Sequence, residues 1–168
     1  MFAALTTLAA AAAIAAPATP QPAGHSTPAA RAVLAEVNAV RTAHSLRPLR
    51  LSPHLSAAAG QHSEEMGERG YFQHESFDGT SFWKRVRHYY GSRGYRYWSV
   101  GENLLWSSTA LTPAAAVSMW MKSPPHRRNL LNRHWRQIGL AVRQFGAAPG
   151  TFQGLPVTII TADFGLRY

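Results

Sequence analysis

The chain has no cysteine at all. That excludes disulfide staples, thiolate zinc sites, thiol catalysis and thiol redox chemistry. Acidic residues are also few, with 8 Asp and Glu against 17 Lys and Arg, a net charge of +9. Residues 1–30 carry no Lys, Arg, Asp or Glu. No apolar run reaches the roughly 20 residues needed to span a bilayer. Internal repeats, a phosphate-binding glycine loop and a nucleophile elbow are all missing, and Asp163-Phe164-Gly165 stands without any other kinase motif.

Against those absences stands an Ala-rich apolar run from Phe2 to Ala16, followed by a Pro/Ala stretch. This reads as an export signal and linker over residues 1–25, although the usual basic start is missing. Residues 26–168 then form one domain, long enough to be held by its core alone. Arginine supplies most of the positive charge, and all of it lies in the mature part. An exported basic domain is drawn to anionic surfaces such as cell-wall polymers or lipid headgroups. Nucleic acid is not expected, because the arginines are scattered and no recognition motif is present. Arginine used only for solubility explains the charge equally well.

A repeated device marks the helix starts. Thr27-Pro28, Ser52-Pro53, Thr112-Pro113 and Ser123-Pro124 each set a capping residue before a proline. Ala30, Val33, Leu34, Val37 and Val40 recur at helical spacing, as do Leu55, Ala58, Ala59, His62 and Met66, with Gly70 as a stop. Asn38 and Arg41 read as exposed polar residues, His62 as a satisfied core histidine, and Glu64, Glu65 and Glu68 as a solvated face. Ser81 caps a short helix with Phe82, Trp83 and Val86 inward, and a later helix turns Ala116, Met119 and Trp120 inward. Tyr95 to Trp106, Ile138 to Phe145 and Leu155 to Phe164 read as strands, with Gly146–Gly154 joining the last two. This order predicts an α+β domain with a small antiparallel sheet flanked by helices.

Three polar residues resist a packing explanation. His74 lies among aromatics, Glu102 within an apolar strand, and His126 in the first turn of a short helix, where the dipole favours neutral imidazole. A carboxylate between Val100, Leu104 and Leu105 must find a partner or shift its pKa upward. If they meet, the three residues can bind a divalent ion, do acid–base work, or simply pin loops to the sheet.

The ordered pieces Asn38-x-x-Arg41, Phe72-x-His74-x-Ser76, Gly101-Glu102-Asn103, Trp120-x-x-Ser123-Pro124-x-His126-Arg127-x-Asn129 and Ile138-Gly139-Leu140-Ala141 resemble the CAP superfamily. It includes cysteine-rich secretory proteins, antigen 5 and plant pathogenesis-related proteins. The likeness is to the bacterial, cysteine-free, SCP-like extracellular branch and runs from about Ala30 to Gly165. It implies a three-layer α–β–α sandwich with an open cleft. In eukaryotic members the cleft holds two His and two Glu, with zinc on the histidines. Carried over, these are His74, Glu102 and His126. The second glutamate's place, after Trp120, is taken by Ser123, which leaves a triad with weaker metal affinity and no glutamate pair. Asn103 and Asn129 are expected to bond backbone around the cleft, and Ser123 to cap the His126 helix.

The first functional expectation is a secreted, monomeric, non-enzymatic cleft protein. It would take a small amphipathic or lipid ligand, or a cell-envelope component, with a weak Zn2+ or other divalent-ion site at His74 and His126. Tyr71, Phe72, Tyr95, Tyr97 and Trp98 would supply apolar walls. The rivals are a metal-assisted, peptidase-like hydrolase with Glu102 as general base, and a scaffold without catalysis.

Overall fold

A computed structural model of the chain describes residues 27–168. The export segment expected at 1–25 lies outside them. Five helices and four strands follow in the order α1 (Pro28–Ala43), β1 (Arg50–Leu51), α2 (Pro53–Arg69), α3 (Phe82–Tyr89), β2 (Trp98–Ser107), α4 (Pro113–Lys122), α5 (Pro124–Leu130), β3 (Gln137–Ala148) and β4 (Leu155–Arg167). A single 3-10 turn, Gly150–Phe152, helps join β3 to β4.

The capping device works locally at three of its four sites. Thr27, Ser52 and Thr112 accept from the backbone N–H three residues on, at 3.1, 3.3 and 3.2 Å. Ser123 holds the extended N-cap backbone of α5, but its side chain makes no cap bond. Gly70 ends α2 in the left-handed region at φ 72°, where a side chain would be strained.

The sheet order is β1-β3-β4-β2. β2 and β3 both run antiparallel to β4, whereas β1 pairs parallel with β3. The sheet is therefore mixed, not wholly antiparallel as expected. The cause is a two-residue strand that the connector Leu46–Leu51 gave no periodicity to reveal.

Alternation along the strands sends side chains to two helical layers. On one face Leu105, Ile138, Leu140, Ile160, Ala162 and Phe164 meet α1, α4 and α5 around buried Trp120. On the other, α2 and α3 pack over Leu104, Val157, Ile159 and Val100. α2 rides directly on β3 at Gly139, where a Cβ would sit 2.0 Å from the Leu55 carbonyl carbon. Two inward assignments were wrong. Trp83 and Met119 are exposed, while Arg85 and Val117 take the buried positions. Asn38 and Arg41 are not ordinary surface polars either. Asn38 pairs with Leu49 through both its amide atoms, at 3.1 and 2.8 Å. Arg41 is fully buried and donates to the carbonyls of Arg47, Leu130 and Asn132.

Candidate functional site

β2 is an edge strand, and Gly101-Glu102-Asn103 lies within it. The pleat turns Glu102 toward the α2/α3 layer and Asn103 toward the α4/α5 layer. Glu102 sits opposite Asp163 on β4. Its side chain is 1% exposed, and both oxygens are engaged. One accepts from His74 Nδ1 at 2.7 Å. The other is bridged by Arg85 Nη2 of α3, whose side chain is 4% exposed. Arg85 Nη1 also donates to the His74 carbonyl at 3.0 Å and to Ser76 Oγ at 3.2 Å. One guanidinium thus clamps the His74 loop to the sheet and neutralises the strand carboxylate.

His74 is 48% exposed, with its ring 6.2 Å from that of Phe82. A carboxylate only accepts, so Nδ1 carries the hydrogen and Nε2 keeps a lone pair whenever His74 is neutral. The hydrogen bond to Glu102 raises the His74 pKa, and burial opposes it. His126 shifts the other way, lowered first by burial and then by the charge of His74. His126 on α5 therefore feels the charge of His74. Asn129 holds that helix in place, donating to Glu102 O at 3.0 Å and to Asn103 Oδ1 at 2.9 Å. Asn103 in turn donates to His126 O at 3.0 Å.

Two members of this network were missed by sequence reasoning. Arg85 lies among Lys84 and Arg87 and looks like one more exposed base. Asp163 was dismissed with its kinase-like tripeptide, yet it is fully buried, and neither oxygen has a hydrogen-bond partner. Burial, then the neighbouring Glu102 charge, raises its pKa well above the usual carboxylate range. Both effects favour the protonated form of Asp163, whose O–H Glu102 can accept, beside a Glu102 held by Arg85. His62, expected as a core histidine, is buried on α2 with Nε2 3.0 Å from Gln73 O. Burial lowers its pKa to about 4.

The expected aromatic walls do not gather around His74 and Glu102. Tyr71 bonds Glu65 at 2.5 Å, Phe72 packs on the Met66 and Leu104 cluster, and Trp98 Nε1 donates to Tyr90 O. Tyr95 and Tyr97 line a different groove, with Arg167 and Tyr168.

For the metal that the resemblance implies, the donor set is thin. Among the described residues no group of three or more His, Asp and Glu is arranged to hold an ion. The resemblance assigns the ion to His74 and His126, two imidazoles linked here by the lowering of the His126 pKa by the charge of His74. Glu102, turned away onto Arg85, orients His74 instead of ligating.

An α–β–α sandwich with His and Glu brought to an edge strand defines the class, and sequence comparison gives the family. The chain belongs to the CAP, or cysteine-rich secretory protein, family, whose model matches residues 34–158. A Bacillus subtilis (strain 168) relative, the uncharacterized protein YkwD, is 33% identical over 110 residues, 66% of this chain and 40% of the relative. The match thus spans about two fifths of that curated relative. Among solved structures, an outer surface protein from Borrelia burgdorferi superposes with a TM-score of 0.63 at 22% identity, covering 82% of this chain and 92% of that one. An extracellular protein containing an SCP domain from Bacillus anthracis gives 0.61 at 24% identity, covering 84% and 44%. Both likenesses are of fold.

Proposed function

We propose that this chain is an extracellular binding domain whose His74/His126 pair takes a divalent ion, and through it a polar group of a cell-surface ligand. The observation that carries this is the double engagement of Glu102. A general base needs a lone pair aimed at water in an accessible site. Glu102 is buried, and its oxygens are held by His74 and Arg85. Its service is to aim the His74 Nε2 outward, as carboxylates do for ligating histidines. Peptidase chemistry with Glu102 as base fits this arrangement poorly. An ion held by two imidazoles keeps open positions for a ligand oxygen. The extracellular and outer-surface descriptions of the similar structures, with the apolar start of the chain, support a location outside the cell. Among the described residues no helix is long and apolar enough to cross a membrane.

Calorimetric titration of Zn2+ into the protein at neutral pH tests this reading. Saturable single-site binding is expected, abolished by His74→Ala/His126→Ala and weakened by about 10–100-fold in Glu102→Gln. Binding that the double variant retains, or none in the wild type, would overturn it.

A further inference from the structure

Among the described residues, the acidic side chains leave one end of the sheet bare. Where β2 and β3 begin and β4 finishes, a groove of about 800 Å3 is lined by Arg47, Arg50, Arg136 and Arg167. No lining residue is acidic. None of the four arginines joins an ion pair among the described residues, where such pairs involve only Glu102 and Glu64. Two of them are held by neutral partners instead. Arg136 Nη1 donates to the carbonyls of Arg133, His134 and Trp135. Arg167 donates to Gly91 O and lies over the Tyr90 and Tyr95 rings, 3.9 and 4.7 Å from their centroids. Arg47 and Arg50 are exposed at the groove's other side, on the connection leaving α1. The unbalanced charge is felt in the interior, where Arg136 adds to burial in lowering the Arg41 pKa.

Exposed tyrosines border the same groove. Tyr97 and Tyr168 stack at 5.4 Å and 15°, fixed by reciprocal backbone bonds of 3.1 and 3.2 Å. They stay 46% and 68% exposed, and Tyr95 stays 44% exposed. Ordered aromatic faces left in water beside unpaired guanidinium forks make an amphiphilic recognition surface, not a solubility device. Guanidinium forks match phosphate oxygens in pairs, and a tyrosine face takes the apolar face of a ring. The volume is that of a small-ligand site. The arginines converge on one groove instead of tracking a strand path, as single-stranded nucleic acid would need.

We propose that this groove binds a phosphorylated saccharide, with Arg47 and Arg50 gripping phosphate and Tyr97 supporting the sugar ring. The site is separate from the histidine cleft. Arg167 in its lining, paired with Trp98, lies four residue pairs along β2–β4 from the Glu102–Asp163 pair, about 13 Å by strand rise. Its arginine-bearing connection also belongs to the α1 side of the sheet.

The test is calorimetric titration of the full chain with glucose bisphosphate, pyrophosphate, glucose and a short oligothymidylate. Glucose bisphosphate is expected to bind saturably and more tightly than pyrophosphate, with no binding of glucose. Arg47→Gln/Arg50→Gln should cost at least about tenfold, the scale of lost charge-assisted bonds, without lowering the melting temperature. Tyr97→Leu should weaken glucose bisphosphate and spare pyrophosphate. His74→Ala/His126→Ala should leave all four titrations unchanged, which separates this site from the metal reading. Equal affinity for pyrophosphate, tighter binding of the oligothymidylate, indifference to the arginine exchange, or no binding would each overturn the proposal.

Discussion

At the scale of single residues, the arrangement turns on a buried charge and what neutralises it. Glu102 was legible as an oddity, because a carboxylate between Val100 and Leu104 needs a partner. The partner was not legible. Arg85 enters the core from a helix whose neighbours Lys84 and Arg87 are exposed, and only tertiary packing separates them. Removing it should strand the glutamate. Arg85→Met is expected to lower stability by about 3–5 kcal/mol, and Arg85→Met/Glu102→Leu to recover much of that loss, because an unpaired buried charge costs more than an apolar replacement. Urea unfolding of the three proteins checks it. A similar loss in the double variant would mean the pair adds more than neutrality.

His62 gives a pH prediction. Its folded pKa of about 4 lies below the ordinary 6.5, so the unfolded chain binds the extra proton between those values. Stability contributed by neutral His62 is whole above pH 6.5 and is lost as pH falls toward 4, by about 3 kcal/mol at full extent. Asp163 acts oppositely, since its raised pKa favours the folded state in acid. The readout is therefore the difference in pH profile between wild type and His62→Gln, which should remove the His62 slope and leave the Asp163 one.

At the scale of elements, starts and stops were readable because caps are local. A Ser or Thr before Pro, or a Gly after the last turn, acts within a few residues. Relations between elements were less readable. Asp163 meets Glu102 only through the β2–β4 register, 61 residues apart in sequence. Arg41, read as exposed, reaches from α1 to the carbonyls at the end of α5. It thereby fixes the helix that carries His126. Arg41→Met should destabilise the fold by about 1–3 kcal/mol through orphaned carbonyls and shift the His126 resonances in NMR spectra while leaving those of His62 in place. Unmoved His126 signals would show that α5 is held without it. Gly139 had no special standing in the sequence beyond its place in the family pattern, yet α2 lies directly on it. Gly139→Ala forces two packed elements apart, and overpacking of this kind costs about 1–3 kcal/mol or more. A midpoint of unfolding equal to wild type would contradict the contact.

For the whole molecule, the layered α–β–α class was legible from element order and from the ordered family pieces. The parallel β1 was not, because two residues carry no periodicity. His74 and Glu102 were legible as candidates, since their placement is chemically odd in any fold, and the two meet at the edge strand. The aromatic walls were misplaced because aromatic composition says nothing about which end of a sheet a tyrosine reaches. Net charge showed that an anionic partner was plausible, and only the fold gathered Arg47, Arg50, Arg136 and Arg167 at one place. The resulting picture is a basic domain with a histidine edge and an arginine–tyrosine end, joined by a sheet whose buried Glu102 is held by Arg85 and bonded to His74.

That positioning role is the central claim, and long-range proton–nitrogen NMR of the histidine rings tests it most directly. Above neutral pH, His74 should carry its hydrogen on Nδ1, with Nε2 unprotonated, and should lose that preference in Glu102→Gln. Added Zn2+ should then shift ring nitrogens of His74 and His126 and leave those of His62 alone. An Nε2–H tautomer of His74 in the wild type, or zinc shifts that bypass His74 and His126, would contradict the account.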